Sequence, residues 1–310
     1  MNRVGSTNLH VFPLCLGGNV FGWTIDEPQS FAVLDSYATA GGNFVDTADM
    51  YSSWVPGNAG GESEAMLGRW MAARKNRDRM VVATKVGKLP GLDDLSAKTI
   101  RTAAENSLVR LGTDRIDLYY AHADDPATPL AETLGAFDAL VREGKVLHVA
   151  ASNYTEARLS EALAVSMREG FTRFVALQPH YNLVHRAEYE SALAPLCSRE
   201  GLACFPYYAL ASGFLAGKYR PGLKVESARA GGAAKYLDDR GLRVLAALDT
   251  IAARRETTVA AVALAWLLTR PAVVAPIASA RTPGQLAELL PAVSLGLAED
   301  ELKLLADASG

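Results

Sequence analysis

Short apolar runs alternate with stretches of helical periodicity along the whole chain. Eight runs stand out, at residues 14–17, 43–46, 80–85, 117–122, 146–152, 175–178, 203–207 and 273–277. They are rich in β-branched and aromatic residues and do not alternate cleanly between polar and apolar. That is the pattern of strands buried on both faces. The segments between them space their apolar residues three and four apart. They predict helices over 27–40, 63–74, 97–111, 129–143, 155–169, 189–200, 241–255, 259–269 and 283–290. Thr155 is placed to cap the fifth of these. Five helices end at glycine just before an apolar run (Gly41-Gly42, Gly112, Gly144, Gly170, Gly201), the usual grammar of a helix-to-strand connection.

Eight alternating β/α units predict an α/β protein with a parallel sheet. Eight is also the number that closes a (β/α)8 TIM barrel, with a doubly wound open sheet as the rival on rhythm alone. Two segments fall outside the rhythm. Residues 4–14 read as an N-terminal β-hairpin turning at Ser6-Thr7-Asn8. Residues 211–237, after the seventh strand, form a long glycine-rich connection with Gly213, Gly217, Gly222, Gly231 and Gly232. Loops of that length are usually functional lids or disordered.

Composition narrows the picture. A length of 310 residues suits two domains or one barrel, and no Pro/Ser-rich linker divides the chain, so one domain over 1–310 is expected. Lys and Arg number 31 against 34 Asp and Glu, which argues against a general nucleic-acid binder. The three cysteines, Cys15, Cys197 and Cys204, have no CxxC spacing and read as reduced core thiols. The N-terminal stretch does not read as a signal peptide, and the apolar stretch 258–268 is too short to span a bilayer. A soluble, cytoplasmic protein is the expectation.

Barrel chemistry sits at the C-terminal ends of strands. Those ends carry Asp46 followed by Thr47 and Tyr51, then Lys85, His122, Ser152-Asn153, Gln178, Tyr207-Tyr208, and Ile277 leading to Ser279 and Arg281. Taken singly each has an ordinary reading: Asp46 a loop cap, Lys85 an exposed charge, His122 a rim histidine, Tyr51 packing. Taken together they suggest acid–base work. Asp46 and Lys85 end neighbouring strands and can pair. A lysine beside a tyrosine hydroxyl favours the phenolate, so Tyr51 is expected to have its pKa drawn down from about 10. Tyr51 then reads as a general acid for a developing alkoxide, with His122 orienting a carbonyl oxygen.

At this point the sequence resembles a known family. The segments FVDTADMY (44–51), ATKVG around Lys85, DLYYAH (117–122), SNY (152–154), LQPHYN (177–182), YYALASGFLAGKY (207–219) and PIASARTPGQL (276–286) resemble the aldo-keto reductase superfamily, in order across nearly the whole chain. GESE (61–64) and HADDPATPL (122–130) make it most similar to the bacterial, potassium-channel-β-subunit-like branch. The resemblance implies an NAD(P)H-dependent oxidoreductase on a TIM barrel. It would reduce aldehydes or ketones, or oxidise a sugar or alcohol in reverse.

The family's catalytic tetrad carries over to Asp46, Tyr51, Lys85 and His122. Its nicotinamide contacts fall on Ser152, Asn153 and Gln178, with Tyr207 as the stacking ring. Pyrophosphate contacts fall on Leu210, Ser212, Gly213, Leu215 and Lys218. Adenosine and 2′-phosphate contacts fall on Ile277, Ser279, Arg281, Gln285 and Glu288. No metal is expected. The chain lacks a GxGxxG fingerprint, but in this family the cofactor lies across a barrel, so the lack does not count against it. Two positions depart from the family: Leu289 stands where an adenine-contacting Asn is common, and Ser279 where the aldose reductase branch has Lys. Arg281 is the one cation of that segment placed for a 2′-phosphate, which favours NADP (NADPH), with NAD possible. Asn19, Val20, Trp23 and Trp54 lie in loops at the mouth and are candidate substrate contacts.

The partner expected is a small carbonyl or sugar substrate, with no nucleic acid and no membrane; oligomeric state is not legible. Two other readings stand beside the reductase: a nicotinamide-nucleotide-sensing binding subunit with little turnover, and an unrelated barrel isomerase or hydrolase.

Overall fold

The computed structural model describes residues 1–223, 225–226 and 230–310. The chain opens with a hairpin, β1 (Asn2–Arg3) antiparallel to β2 (His10–Val11). Its pairing starts two residues earlier than the pattern suggested. The turn is closed by the Val4 N–H to the Leu9 carbonyl (3.0 Å) and the Thr7 hydroxyl to the Val4 carbonyl (2.7 Å). Val4 and Val11 are fully buried against the barrel's inner residues, so the hairpin plugs one end.

Eight parallel strands follow: β3 (Cys15–Gly17), β4 (Phe44–Asp46), β5 (Val81–Val86), β6 (Ile116–Ala121), β7 (Val146–Ser152), β8 (Ala176–Gln178), β9 (Ala203–Cys204) and β10 (Ile277–Ala278). They form one sheet in the order β10-β3-β4-β5-β6-β7-β8-β9. The ring closes through the start of β10 and the residues just before it. Cys204 N–H donates to the Ala272 carbonyl (2.7 Å), Val274 N–H to Cys204 (3.0 Å) and Ile277 N–H to Pro206 (2.9 Å). The result is a (β/α)8 TIM barrel. β9 is shorter than the run 203–207, because Pro206 has no N–H to add to the ladder.

The helices are α1 (Glu27–Thr39), α2 (Glu62–Arg74), α3 (Ala97–Leu111), α4 (Leu130–Arg142), α5 (Glu156–Glu169), α6 (Ala194–Glu200), α7 (Ala230–Ala234), α8 (Asp239–Arg254), α9 (Val259–Leu268), α10 (Pro283–Leu289) and α11 (Glu299–Ser309). Thr155 caps α5 as expected, accepting from the Arg158 N–H at 3.3 Å. Three helix expectations change. The span 189–200 divides into a π-helical turn (Tyr189–Leu193) and α6. The connection 211–237 is not structureless: it holds a turn at Ala211–Ala216 and α7, while positions 224 and 227–229 lie outside the described residues. And α11 was not expected at all. It is anchored on α8 by a two-pronged Arg255–Glu301 pair at 2.7 and 2.8 Å.

Strand alternation explains why the polar ends converge. One apolar cluster fills the space between sheet and helices; a second lies inside the barrel. The inner cluster includes Cys15, Phe44, Ala83, Tyr120, Ala150, Ala176 and Phe205. Side chains on a strand share a face every second residue. Two residues on from these lie Gly17, Asp46, Lys85, His122, Ser152, Gln178 and Tyr207. The barrel's own packing therefore aims this set into its C-terminal mouth.

Candidate active site

Asp46 is 2% exposed and its carboxylate is held from three directions. Oδ2 accepts from Lys85 Nζ at 2.7 Å and from the Tyr51 hydroxyl at 3.2 Å, and Oδ1 accepts from Gln178 Nε2 across the barrel at 2.9 Å. Lys85 is fully buried, and its ammonium spends all three protons: on Asp46, on the Thr47 carbonyl (2.7 Å) and on the Tyr51 hydroxyl oxygen (3.0 Å). Burial of this kind is tolerated because the charge is both paired and fully hydrogen-bonded. The segment that delivers Tyr51 is fixed by a buried polar chain, Thr47 Oγ1 to Ser63 Oγ (2.8 Å) and Ser63 Oγ to the Gly18 carbonyl (2.8 Å).

Burial and the Asp46 charge push the Tyr51 phenol well above the usual tyrosine range. This corrects the expectation of a lowered value. Lys85 does touch the hydroxyl, but burial and the Asp46 carboxylate bound to the same hydroxyl outweigh its charge. The consequence is a tyrosine kept protonated at neutral pH. His122 lies beside it, ring centroids 6.3 Å apart. Burial, with the charges of Lys85 and Lys88, holds His122 well below its ordinary value, so the imidazole is neutral. Its Nδ1 is buried and has no hydrogen-bond partner among the described residues.

Asp46, Tyr51 and His122 stand in the wall of a cavity of about 500 Å³. Ser152, Asn153, Gln178 and Tyr207 line it. Asn153 takes a left-handed backbone (φ 56°), accepts from the Tyr207 hydroxyl at 2.7 Å, and donates to the His122 carbonyl at 2.8 Å. Ser152 donates to the Gln178 carbonyl at 3.0 Å. The platform ring and the amide cluster are thus one hydrogen-bonded unit joined to the tetrad.

Further along the wall come Leu210, Ser212, Gly213 and Lys218, then Ile277, Ser279, Arg281, Gln285 and Glu288, all picked out in the sequence. Ser279 Oγ donates to Asn19 Oδ1 at 2.7 Å, and Gln285 Oε1 accepts the Arg281 N–H at 2.9 Å. The contact is tight enough that a Cβ on Gly17 would fall 2.6 Å from Ser279 Oγ. Neither Lys218 nor Arg281 forms an ion pair among the described residues; Lys218 only overlies the Tyr219 ring, at 5.2 Å. Asn19, Val20 and Trp54 also line the cavity.

Two expected contacts are not in the wall. Leu215 is fully buried in the core, its N–H tied back to the Leu210 carbonyl. Trp23 stands behind Trp54 in an edge-to-face pair, centroids 5.5 Å apart, supporting the wall without forming it. Lys85 is not in the wall either: it lies behind Tyr51, in contact with its hydroxyl. The wall also contains Thr24, Lys88, Tyr208 and Leu289, which were not assigned contacts from the sequence. Leu289, a departure from the family pattern, is among them. Lys88 follows a turn at Gly87 (φ 101°), beyond the reach of strand periodicity.

The profile of the Aldo/keto reductase family matches residues 13–309. The chain is 35% identical over 314 residues to the uncharacterized oxidoreductase YrpG of Bacillus subtilis, covering 98% of this chain and 94% of that one. It is 33% identical over 316 residues to the norsolorinic acid reductase stcV of Emericella nidulans, covering 96% and 78%. It is 30% identical over 326 residues to an aryl-alcohol dehydrogenase [NADP(+)] of Phanerodontia chrysosporium, covering 96% and 83%. The chain therefore belongs to the aldo/keto reductase family of oxidoreductases. Among the described residues no helix is long and apolar enough to cross a membrane.

Proposed function

We propose that the protein, acting as one barrel unit over 1–310, is an NADPH-dependent reductase of aromatic aldehydes or ketones that also runs in reverse on the alcohols. The observation that carries this reading is the grip of buried Lys85 on the Tyr51 hydroxyl and Asp46 in the floor of a cavity that His122 also faces. The cavity residues fit a nicotinamide dinucleotide. Tyr207 offers a ring braced by Asn153, and two cations without ion pairs, Lys218 and Arg281, stand where anionic groups need them. Ser152, Asn153, Gln178 and Tyr207 would hold the nicotinamide end. Ser212, Gly213 and Lys218 would hold the pyrophosphate. Arg281, with Ser279, Gln285 and Glu288, would hold the adenosine end, and Arg281 favours the 2′-phosphate form. When bound, NADPH supplies the hydride.

The chain's own residues manage the proton. Tyr51 is kept protonated by burial and Asp46, and gives its proton to the carbonyl oxygen as charge develops there. The phenolate left behind is stabilised by Lys85, 3.0 Å away, which Asp46 and the Thr47 carbonyl fix in place. Neutral His122 offers a ring N–H to the same oxygen. Oxidation of an alcohol requires the phenolate, so the reverse direction gains as pH rises. The aromatic wall of Trp54 and Tyr208, and relatives named for aryl alcohols and norsolorinic acid, support an aryl carbonyl over an aliphatic one. The three free cysteines are buried, which fits a reducing compartment such as the cytoplasm.

The test is titration with NADPH and NADH by nucleotide fluorescence, followed by a panel of aryl and aliphatic carbonyls and sugars. NADPH binding tighter than NADH, with turnover of aryl aldehydes, is expected, and Arg281→Ala should shrink the preference. Tight binding without turnover across the panel would overturn the reductase reading in favour of a nucleotide sensor.

A further inference from the structure

Lys88 is the cavity residue that the proposed chemistry leaves without a task. It lies two residues beyond the end of β5, the strand that carries Lys85, and it shares the cavity wall with Tyr51, Trp54, His122 and Thr24. Among the described residues it makes no hydrogen bond and no ion pair. Three acidic residues of the surrounding loops are spent elsewhere. Asp94 accepts from the Ser96 N–H (2.9 Å), Asp124 takes both prongs of Arg158 (2.9 Å each), and Asp125 accepts from the Leu95 N–H (2.9 Å) and the Thr128 hydroxyl (2.6 Å). Asp93 forms no ion pair with it. An ammonium with no protein partner among the described residues therefore stands at the rim of a pocket walled by aromatic rings. Lys88 is exposed at that rim, and its partial burial with the neighbouring charge of Lys85 holds its pKa below the ordinary lysine range.

We infer that Lys88 is a specificity-determining residue that selects aryl carbonyl substrates bearing a carboxylate; this rests on the aryl carbonyl reductase reading above. The aromatic ring lies against Trp54, whose own ring is 6.2 Å from that of Tyr51, and the carboxylate takes a charge-assisted hydrogen bond from the Lys88 ammonium. A single cation matches a single negative charge, and among the described residues Tyr51, Trp54, His122 and Thr24, which share this part of the wall, include no second Lys or Arg of the kind that phosphate recognition recruits. The nucleotide's anionic groups are served separately by Lys218 and Arg281.

The experiment compares kcat/KM for the 3- and 4-carboxybenzaldehydes with that for their methyl esters, with NADPH saturating, in wild type, Lys88→Ala, Lys88→Arg and Lys88→Glu. The acid is expected to be preferred over the ester in wild type. That ratio should fall about tenfold in Lys88→Ala, chiefly through KM, survive in Lys88→Arg and invert in Lys88→Glu. It should also shrink as salt is raised, because the pair is at the rim. A ratio that is unchanged in Lys88→Ala overturns the inference. Calorimetry with benzoate and methyl benzoate on the NADP-loaded protein gives a second readout that needs no turnover. Benzoate binding weakened in Lys88→Ala supports the inference, and benzoate binding equal in the two proteins overturns it. Failure to reduce either the acids or the esters overturns the reductase reading instead, and leaves the calorimetry to decide the role of Lys88.

Discussion

Replacing Lys85 with Met removes one atom's worth of charge and unravels a linked set of bonds. Nζ makes three contacts, at 2.7, 2.7 and 3.0 Å, and the side chain is fully buried. Without it Asp46 keeps only the Gln178 amide and the Tyr51 hydroxyl, and remains buried with its charge unanswered. Removing one partner of a buried pair costs about 3–5 kcal/mol. Asp46→Asn strands Lys85 in the same way and should cost a similar amount. The double variant Lys85→Met/Asp46→Asn buries no lone charge, so its cost should be well below the sum, with a coupling of about 3 kcal/mol. Urea unfolding followed by the fluorescence of the buried Trp70 and Trp266 reads all three. Additive costs would refute the claim that the two charges are held in place by each other. Both single variants should also lose carbonyl reduction, since each removes support from the Tyr51 hydroxyl.

Two further outcomes test the fold around the site. Asp49 is fully buried, neither carboxylate oxygen has a partner among the described residues, and burial with the nearby Glu64 pushes its pKa from 3.8 up to about 7. The folded protein therefore binds a proton that the unfolded chain releases between those values, so stability falls as pH rises through that window, by on the order of 4 kcal/mol. Asp49→Asn should flatten the urea midpoint between pH 5 and pH 8, and an unaltered slope would count against the assignment. Gly68 lets α2 pass close to the end of α3: an added Cβ would sit 2.5 Å from the Arg110 carbonyl oxygen and 2.7 Å from that of Leu111. Because those atoms are backbone, Gly68→Ala should lower stability by about 1–3 kcal/mol, and an unmoved melting temperature would show that the helices shift freely.

The parts of the molecule that were legible in the sequence are those with a strict period. Strands buried on both faces, with helices ending at glycine, leave a signature that a reader can count, and the inward alternation of the strands brings Asp46, Lys85, His122, Ser152 and Gln178 together. What was not legible depends on irregular turns that break the strand period or on contacts between segments distant in the chain. Leu215 and Ser212 lie three residues apart in one turn, yet one enters the core and the other the cavity, because Ala211, Ser212 and Gly213 run left-handed. The direction of the Tyr51 shift required knowing that the Asp46 carboxylate is bound to the same hydroxyl as Lys85, a matter of distance. Lys88 follows a glycine turn where strand periodicity no longer says which way a side chain points. The helix α11 did have a signal: acidic Glu299, Asp300 and Glu301 at its start and leucines behind them.

The central claim is that Tyr51 gives the proton. Its most direct test is NADPH consumption with 4-nitrobenzaldehyde by wild type and Tyr51→Phe, with NADPH affinity measured in parallel by fluorescence. The prediction is a fall in kcat of about 10²–10⁴-fold with nucleotide binding kept. A Tyr51→Phe enzyme that binds NADPH and turns over at the wild-type rate would contradict it.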